Sequence, residues 1–183
     1  MPAALGLVAR TRPDIQVLHQ AGKDRDLGVR EAYARAGVAH ARVVPFLDDV
    51  AAEMARADVV VARSGAGTVA EVAGIGRPAL LVPFPFAADD HQVENALALE
   101  RAGGAVCVRQ DQADALRIAG ELSSLLGDTA RLARMSAASR AFGRPDAATD
   151  IAKDLCELAG IPWRPSLRDP TRTNGAGARV EAV

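Results

Sequence analysis

The chain has 183 residues, 49% hydrophobic but only 3% aromatic, with a formal net charge of -1. That length fits one domain whose core is packed mainly by aliphatic side chains and alanine, and the near-neutral charge excludes a general electrostatic attraction to nucleic acid. No apolar run approaches the about 18 residues of a membrane-spanning helix, the first residues lack the basic and long apolar regions of a signal peptide, and Cys107 and Cys156 lack metal-ligand spacing and read as reduced thiols.

Strand and helix signals alternate along the chain, which points to parallel α/β packing. Residues 2–10 read as a helix already under way, so an upstream element of the sheet is expected to be missing from this sequence. Residues 15–19 (IQVLH) form the first expected strand, and 24–36 a helix stopped by Gly37 just past its C-cap. A strand at 41–45 (ARVVP) leads to a short helix at 48–57, capped by Asp48 or Asp49. Residues 59–62 are apolar throughout, as expected of a strand covered on both faces. A helix at 68–74 follows, and Gly76-Arg77-Pro78 turns the chain back into a fourth strand at 79–82. A helix at 89–102 and a strand at 105–108 complete the alternation. Helices are expected at 111–126, 128–141 and 147–159, with Pro145 and Pro162 punctuating the last. Residues 1–163 are therefore expected to form one Rossmann-like domain, and 164–183, rich in Pro, Gly and Arg, a disordered tail.

The chemistry concentrates between residues 57 and 95. The strand at 59–62 runs into Arg63-Ser64-Gly65-Ala66-Gly67-Thr68, a small-residue turn opening a helix. A helix N-terminus offers free N–H groups and a positive dipole end to phosphate, small residues let a diphosphate approach the backbone, and Thr68 adds a hydroxyl. The lysine of a P-loop and the third glycine of a dinucleotide turn are both absent, so a purely structural turn remains the competing reading. Glu71, one turn further on, is placed either to accept hydrogen bonds from ribose hydroxyls or to serve as a capping-box partner of Thr68. His91, Gln92 and Asn95 offer donors and acceptors suited to sugar hydroxyls, or form a polar helix start beside Asp89 and Asp90 as N-caps. Phe46 and Leu47, after the second strand, would floor a pyrimidine ring or staple the next helix. His19 and Lys23, at the end of the first strand, would approach phosphates or face solvent. No carboxylate pair, Ser/His/Asp set or His/Cys cluster reads as a catalytic or metal centre.

LHQAGK (18–23), the long stretch 43–105 and PDAATDIAKDL (145–155), taken in this order, resemble the carboxyl-terminal half of the MurG family. Those are GT-B glycosyltransferases of family 28 that move N-acetylglucosamine from UDP-GlcNAc to undecaprenyl-pyrophosphoryl-MurNAc-pentapeptide. The specific elements are R-S-G-A-x-T-x-x-E (63–71) and D-x-H-Q-x-x-N-A (89–96). The resemblance covers about residues 1–160 and implies an α/β, Rossmann-like half of a GT-B fold. It implies that Phe46, Leu47 and Val50 line a uracil pocket, with Val50 standing where the family often has methionine. It implies that the turn of Ser64, Gly65, Ala66 and Gly67 and the hydroxyl of Thr68 hold the diphosphate. Glu71 would bind the ribose, His91 and Gln92 would face the GlcNAc, and Asn95 would support that loop. It implies no cofactor and no metal, and peripheral attachment to the cytoplasmic face of the plasma membrane. The family's amino-terminal domain, which binds the acceptor and carries the base, and its G-G-S-Q-G-A loop have no counterpart here. The chain is therefore expected to be the donor-binding half of an inverting transferase that needs a partner domain. A truncated, non-catalytic UDP-sugar-binding module and another GT-B enzyme (a UDP-GlcNAc 2-epimerase or a macrolide-type transferase) are the alternatives.

Overall fold

The computed structural model describes residues 1–86 and 90–164. The expected N-cap Asp89 and, from residue 165 on, the expected tail lie outside them. The chain divides into a first unit, Met1–Arg144, and a second that begins at Pro145.

The first unit alternates helices and strands: α1 (Pro2–Ala9), β1 (Gln16–Gln20), α2 (Asp26–Arg35), β2 (His40–Val44), α3 (Val50–Arg56), β3 (Val60–Ala62), α4 (Ala66–Ile75), β4 (Ala79–Leu81), α5 (His91–Arg101), β5 (Ala105–Cys107), α6 (Ala115–Gly127) and α7 (Thr129–Phe142). The second unit contains α8 (Ala147–Leu158). Local chemistry sets the boundaries. Asp49 caps α3 by accepting the Ala52 N–H at 2.8 Å, and Asp128 caps α7 through the Arg131 N–H at 2.7 Å. The helix expected over 111–126 is instead a 3-10 turn at Gln110–Gln112 followed by α6, because Asp114 accepts the Arg117 N–H at 2.7 Å and starts a fresh helix there. Helix α4 starts two residues earlier than expected, with Gly65 as its N-cap, and it ends at Gly76 in the left-handed region (φ 74°), where a side chain would be strained.

The strands are parallel, but they pair as two ladders. One joins β1 to β2, with Gln16 opposite His40 and Gln20 opposite Val44. The other has the order β3-β4-β5, with Val60 opposite Ala79 and Ala79 opposite Ala105. The sequence pattern led to a third strand covered on both faces. Both faces of β3 are packed, Val60 and Ala62 against one cluster and Val61 against the other, although β3 ends its ladder and Val61 and Ala62 stay partly exposed. Apolar composition reports how readily a strand packs, not which strand lies beside it.

Alternation on β4 builds the core on both faces. Leu80 points into one cluster with Leu5 and Val8 of α1, Val43 of β2, and Ile118 and Leu122 of α6. Its neighbours Ala79 and Leu81 point into the other, with Val72 of α4 and Ala96 and Leu99 of α5. All three β4 residues are fully buried, so each leucine contributes on the order of 1.5–3 kcal/mol. The consequence for the site is positional: a rigid β3–β4 pair presents its carboxyl ends, and the loops that leave them, along one edge.

Candidate functional site

The turn after β3 is fixed from below. Ser64 is fully buried, and its hydroxyl donates to the Gln92 carbonyl at 2.7 Å. Asn95 returns the connection, its Nδ2 donating to the Ser64 carbonyl at 3.1 Å. The first turn of α5 thus clamps the turn that opens α4. A third tie comes from Gln92, whose Oε1 accepts the Phe84 N–H at 3.0 Å. Arg63 then spans to the loop after β4, donating to the carbonyls of Val82 (3.1 Å) and Pro83 (3.0 Å) while its guanidinium stacks over the Phe84 ring.

On this base α4 begins in the open. Gly65 supplies no side-chain cap, and the first turn holds no acidic residue. The N–H groups of Ala66, Gly67 and Thr68 belong to the set that an α-helix cannot satisfy internally. Ala66 and Gly67 are exposed and Thr68 is half-buried. Glu71 is exposed and makes no ion pair among the described residues. With Gly65 as N-cap, Glu71 lies beyond the third helical position that a capping box needs, so its position leaves the carboxylate free for a ligand. The edge as built offers donors to an anion and one carboxylate to hydroxyl groups a turn away.

Gln92 and Asn95 therefore act first on the protein, through Phe84 and Ser64. His91 is exposed at the start of α5. Asp90 holds the N-cap position with a left-handed backbone (φ 52°) and no side-chain cap bond. A cavity of about 340 Å³ opens beside it, between Pro83, Pro85 and Val93.

Phe46, Leu47 and Val50 lie on the other ladder. Phe46 is 76% exposed, the Leu47 N–H donates to Gln20 Oε1 at 3.1 Å, and Val50 opens α3. No hydrogen bond joins this group to the Ser64–Thr68 turn among the described residues. Lys23 is exposed. His19 faces inward: its Nδ1 shares a hydrogen bond of 2.9 Å with the Tyr33 hydroxyl, and the two rings meet edge to face. Burial lowers the His19 pKa from its ordinary value, with a further push from the nearby amino terminus. Burial also raises Tyr33 to about 12. Sequence reasoning missed Tyr33, the bridging role of Arg63 and the burial of Ser64. The available signal for the last was a serine between a buried strand and a glycine. Among the described residues no group of His, Cys, Asp and Glu could hold a metal ion, and no helix is long and apolar enough to cross a membrane.

Parallel strands, flanking helices and an open helix start at the strand ends define one half of a GT-B glycosyltransferase fold. Residues 1–151 match the glycosyltransferase family 28 C-terminal domain, and the chain belongs to that family. Over its full length it is 48% identical to the UDP-N-acetylglucosamine–N-acetylmuramyl-(pentapeptide) pyrophosphoryl-undecaprenol N-acetylglucosamine transferase of Sorangium cellulosum (strain So ce56), of which it covers 45%. The crystal structure of Acinetobacter baumannii MurG superposes with a TM-score of 0.75 at 31% identity, over 86% of this chain and 44% of that one. Glycosyltransferase VinC in complex with dTDP shares the fold at 21% identity and a TM-score of 0.62, over 85% of this chain and 37% of its own. The chain thus spans less than half the length of the relatives it matches.

Proposed function

We propose that this chain is the UDP-GlcNAc-binding half of an inverting N-acetylglucosaminyltransferase of peptidoglycan precursor synthesis. The observation that carries this reading is the clamped turn at Ser64–Thr68, with its open helix N-terminus. The amides of Ala66 and Gly67 and the Thr68 hydroxyl would hold the donor diphosphate, and Glu71 the ribose. His91 and Gln92 would face the sugar, and Phe46, Leu47 and Val50 the base. When the acceptor hydroxyl attacks the anomeric carbon, the bond to UDP breaks and negative charge grows on the diphosphate. Fixed N–H dipoles aimed there stabilise that charge without reorganising. The proton of the attacking hydroxyl passes to a base outside residues 1–163. The same outside half would bind the undecaprenyl-linked acceptor and attach the enzyme peripherally to the cytoplasmic face of the membrane.

Calorimetric titration of the purified chain with UDP-GlcNAc, UDP and UDP-glucose tests this reading. Saturable binding that prefers the GlcNAc compound is expected. A folded sample that binds none of the three would overturn it. A non-catalytic UDP-sugar-binding module is the second reading. It predicts the same binding, with no transfer when the remainder of a full-length relative is supplied.

A further inference from the structure

Gln20 ends β1 within the stretch LHQAGK and has no part in the donor site described above. Its neighbourhood gives it one. The chain leaves β2 at a fixed point. The Val43 carbonyl accepts from the Arg30 guanidinium of α2 at 3.2 and 3.0 Å, and the Val44 carbonyl accepts the Ala21 N–H at 2.9 Å. The backbone is fixed again where α3 begins. There Asp49 accepts the Ala52 N–H at 2.8 Å, and the Asp49 carbonyl accepts the Glu53 N–H at 3.3 Å.

Residues 45–48 run between these two anchors and carry Phe46 and Leu47. Burial does little to hold them, since Pro45, Phe46 and Asp48 are exposed and Leu47 is half-buried. Pro45 has no N–H to offer. Among the described residues a single hydrogen bond reaches the segment: the Leu47 N–H donates to Gln20 Oε1 at 3.1 Å. Because the partner is a donor, the Gln20 amide presents its oxygen there. Gln20 stands opposite Val44 in the ladder, and its side chain reaches past that partner to Leu47. A rigid strand pair thus pins the middle of an otherwise untied segment.

On the reading of this chain as a UDP-sugar-binding half, we propose that Gln20 is a positioning residue for the nucleotide base. By holding the Leu47 amide it fixes the shape in which Phe46 and Leu47 meet the ring, and so sets the preference for uridine over a purine nucleoside. A segment tied only at its ends adapts to a larger ring, and it must be ordered each time a ligand binds. One pinned at its middle is ordered beforehand, which favours the ring it is shaped for.

UDP and ADP share the ribose and the diphosphate and differ in the base. Their affinities are measured by calorimetry on the full chain, on Gln20→Leu and on Gln20→Glu. Leucine removes the acceptor, whereas glutamate keeps an acceptor oxygen at the same reach. Any repulsion between the added charge and the diphosphate falls on both ligands and cancels in the ratio of their affinities. Gln20 is exposed, so both variants should fold. The unaltered chain is expected to prefer UDP. That preference should fall by about three- to tenfold in Gln20→Leu, the net contribution of one hydrogen bond, and be retained in Gln20→Glu. In the ligand-free protein the Leu47 amide should exchange its hydrogen faster in Gln20→Leu alone. An unchanged preference in Gln20→Leu, or an equal fall in Gln20→Glu, would overturn the proposal. Tighter binding of UDP by Gln20→Leu would also overturn it, showing that Gln20 competes with the base for the Leu47 N–H. If the unaltered chain binds UDP and ADP alike, the role of Gln20 falls and the diphosphate site stands. If it binds neither, both fall.

Discussion

At the scale of single residues the site separates into side chains that hold the protein and side chains left free for a ligand. Glu71 belongs to the second kind, being exposed and without an ion pair among the described residues. Glu71→Ala should change folding stability by no more than about 0.5 kcal/mol, yet weaken UDP-GlcNAc binding by about 1–3 kcal/mol, the range for hydrogen bonds to a charged group. Urea denaturation and calorimetry on the same sample separate the two effects; unchanged affinity would remove Glu71 from the ribose. Asn95 belongs to the first kind, since its Nδ2 satisfies the Ser64 carbonyl. Asn95→Ala should cost about 1–3 kcal/mol of stability by leaving that carbonyl unpaired, with any loss of affinity following from a loosened turn. A stable variant with lost affinity would instead place Asn95 against the sugar. His19 connects residue chemistry to pH. Burial holds its pKa below the ordinary 6.5, so the unfolded chain takes up the proton more readily than the folded one. Its contribution to stability is therefore complete above about pH 6.5 and is lost as pH falls through the lower folded value. Urea midpoints at about pH 7 and pH 5 should fall less steeply for His19→Gln than for the unaltered chain. An identical slope would mean that His19 titrates alike in both states.

At the scale of elements the question is how closely they must approach to set the edge. Helix α1 meets the end of α2 at Gly6. A Cβ built there would stand 2.6 Å from the Ala36 carbonyl oxygen and 2.9 Å from the Ala36 Cβ. Backbone cannot swing aside as a long side chain can, so Gly6→Ala should destabilise the chain by about 1–3 kcal/mol, the usual cost of overpacking. Thermal melting tests it, and an unchanged midpoint would mean that α1 shifts freely over α2. That close approach was not legible in the sequence, where Gly6 is one small residue in an apolar helix. The strand–turn–helix at 59–68 was legible, because a run of valines passing into Ser-Gly-Ala-Gly changes composition at the point where the chain changes direction. The caps at Asp49 and Asp128 follow from residue type alone. What residue types could not carry were the ties across 20 to 31 positions: Arg63 to Pro83, and Ser64 to Gln92 and Asn95. Those depend on which strands lie side by side. The same limit hid the split into two ladders, since periodicity reports a strand's faces and says nothing of its edges.

At the scale of the whole molecule the chain divides into two units, and the two apolar clusters lie in the first. Helix α8 buries none of its residues, and Ile151, Leu155 and Leu158 are 59%, 60% and 85% exposed. Those positions are spaced by four and three, so they form one stripe along the helix. The core is complete without them: the two apolar clusters draw every buried member from residues 4 to 122, all within the unit that ends at Arg144. The folding free energy is therefore expected to reside in Met1–Arg144, because a helix that buries no apolar side chain contributes little beyond its own marginal propensity. A chain ending at Arg144 should unfold cooperatively, with its melting temperature within about 2–4 °C of the full chain, the shift that 1 kcal/mol produces at this size. A larger fall would show that α8 stabilises the unfolding unit after all. Binding of UDP-GlcNAc measured on the same shortened chain then extends the result from stability to function. The turn at Ser64–Thr68, Glu71 and the start of α5 all lie before residue 144, so affinity should match that of the full chain within about twofold, well under the tenfold that 1.4 kcal/mol represents.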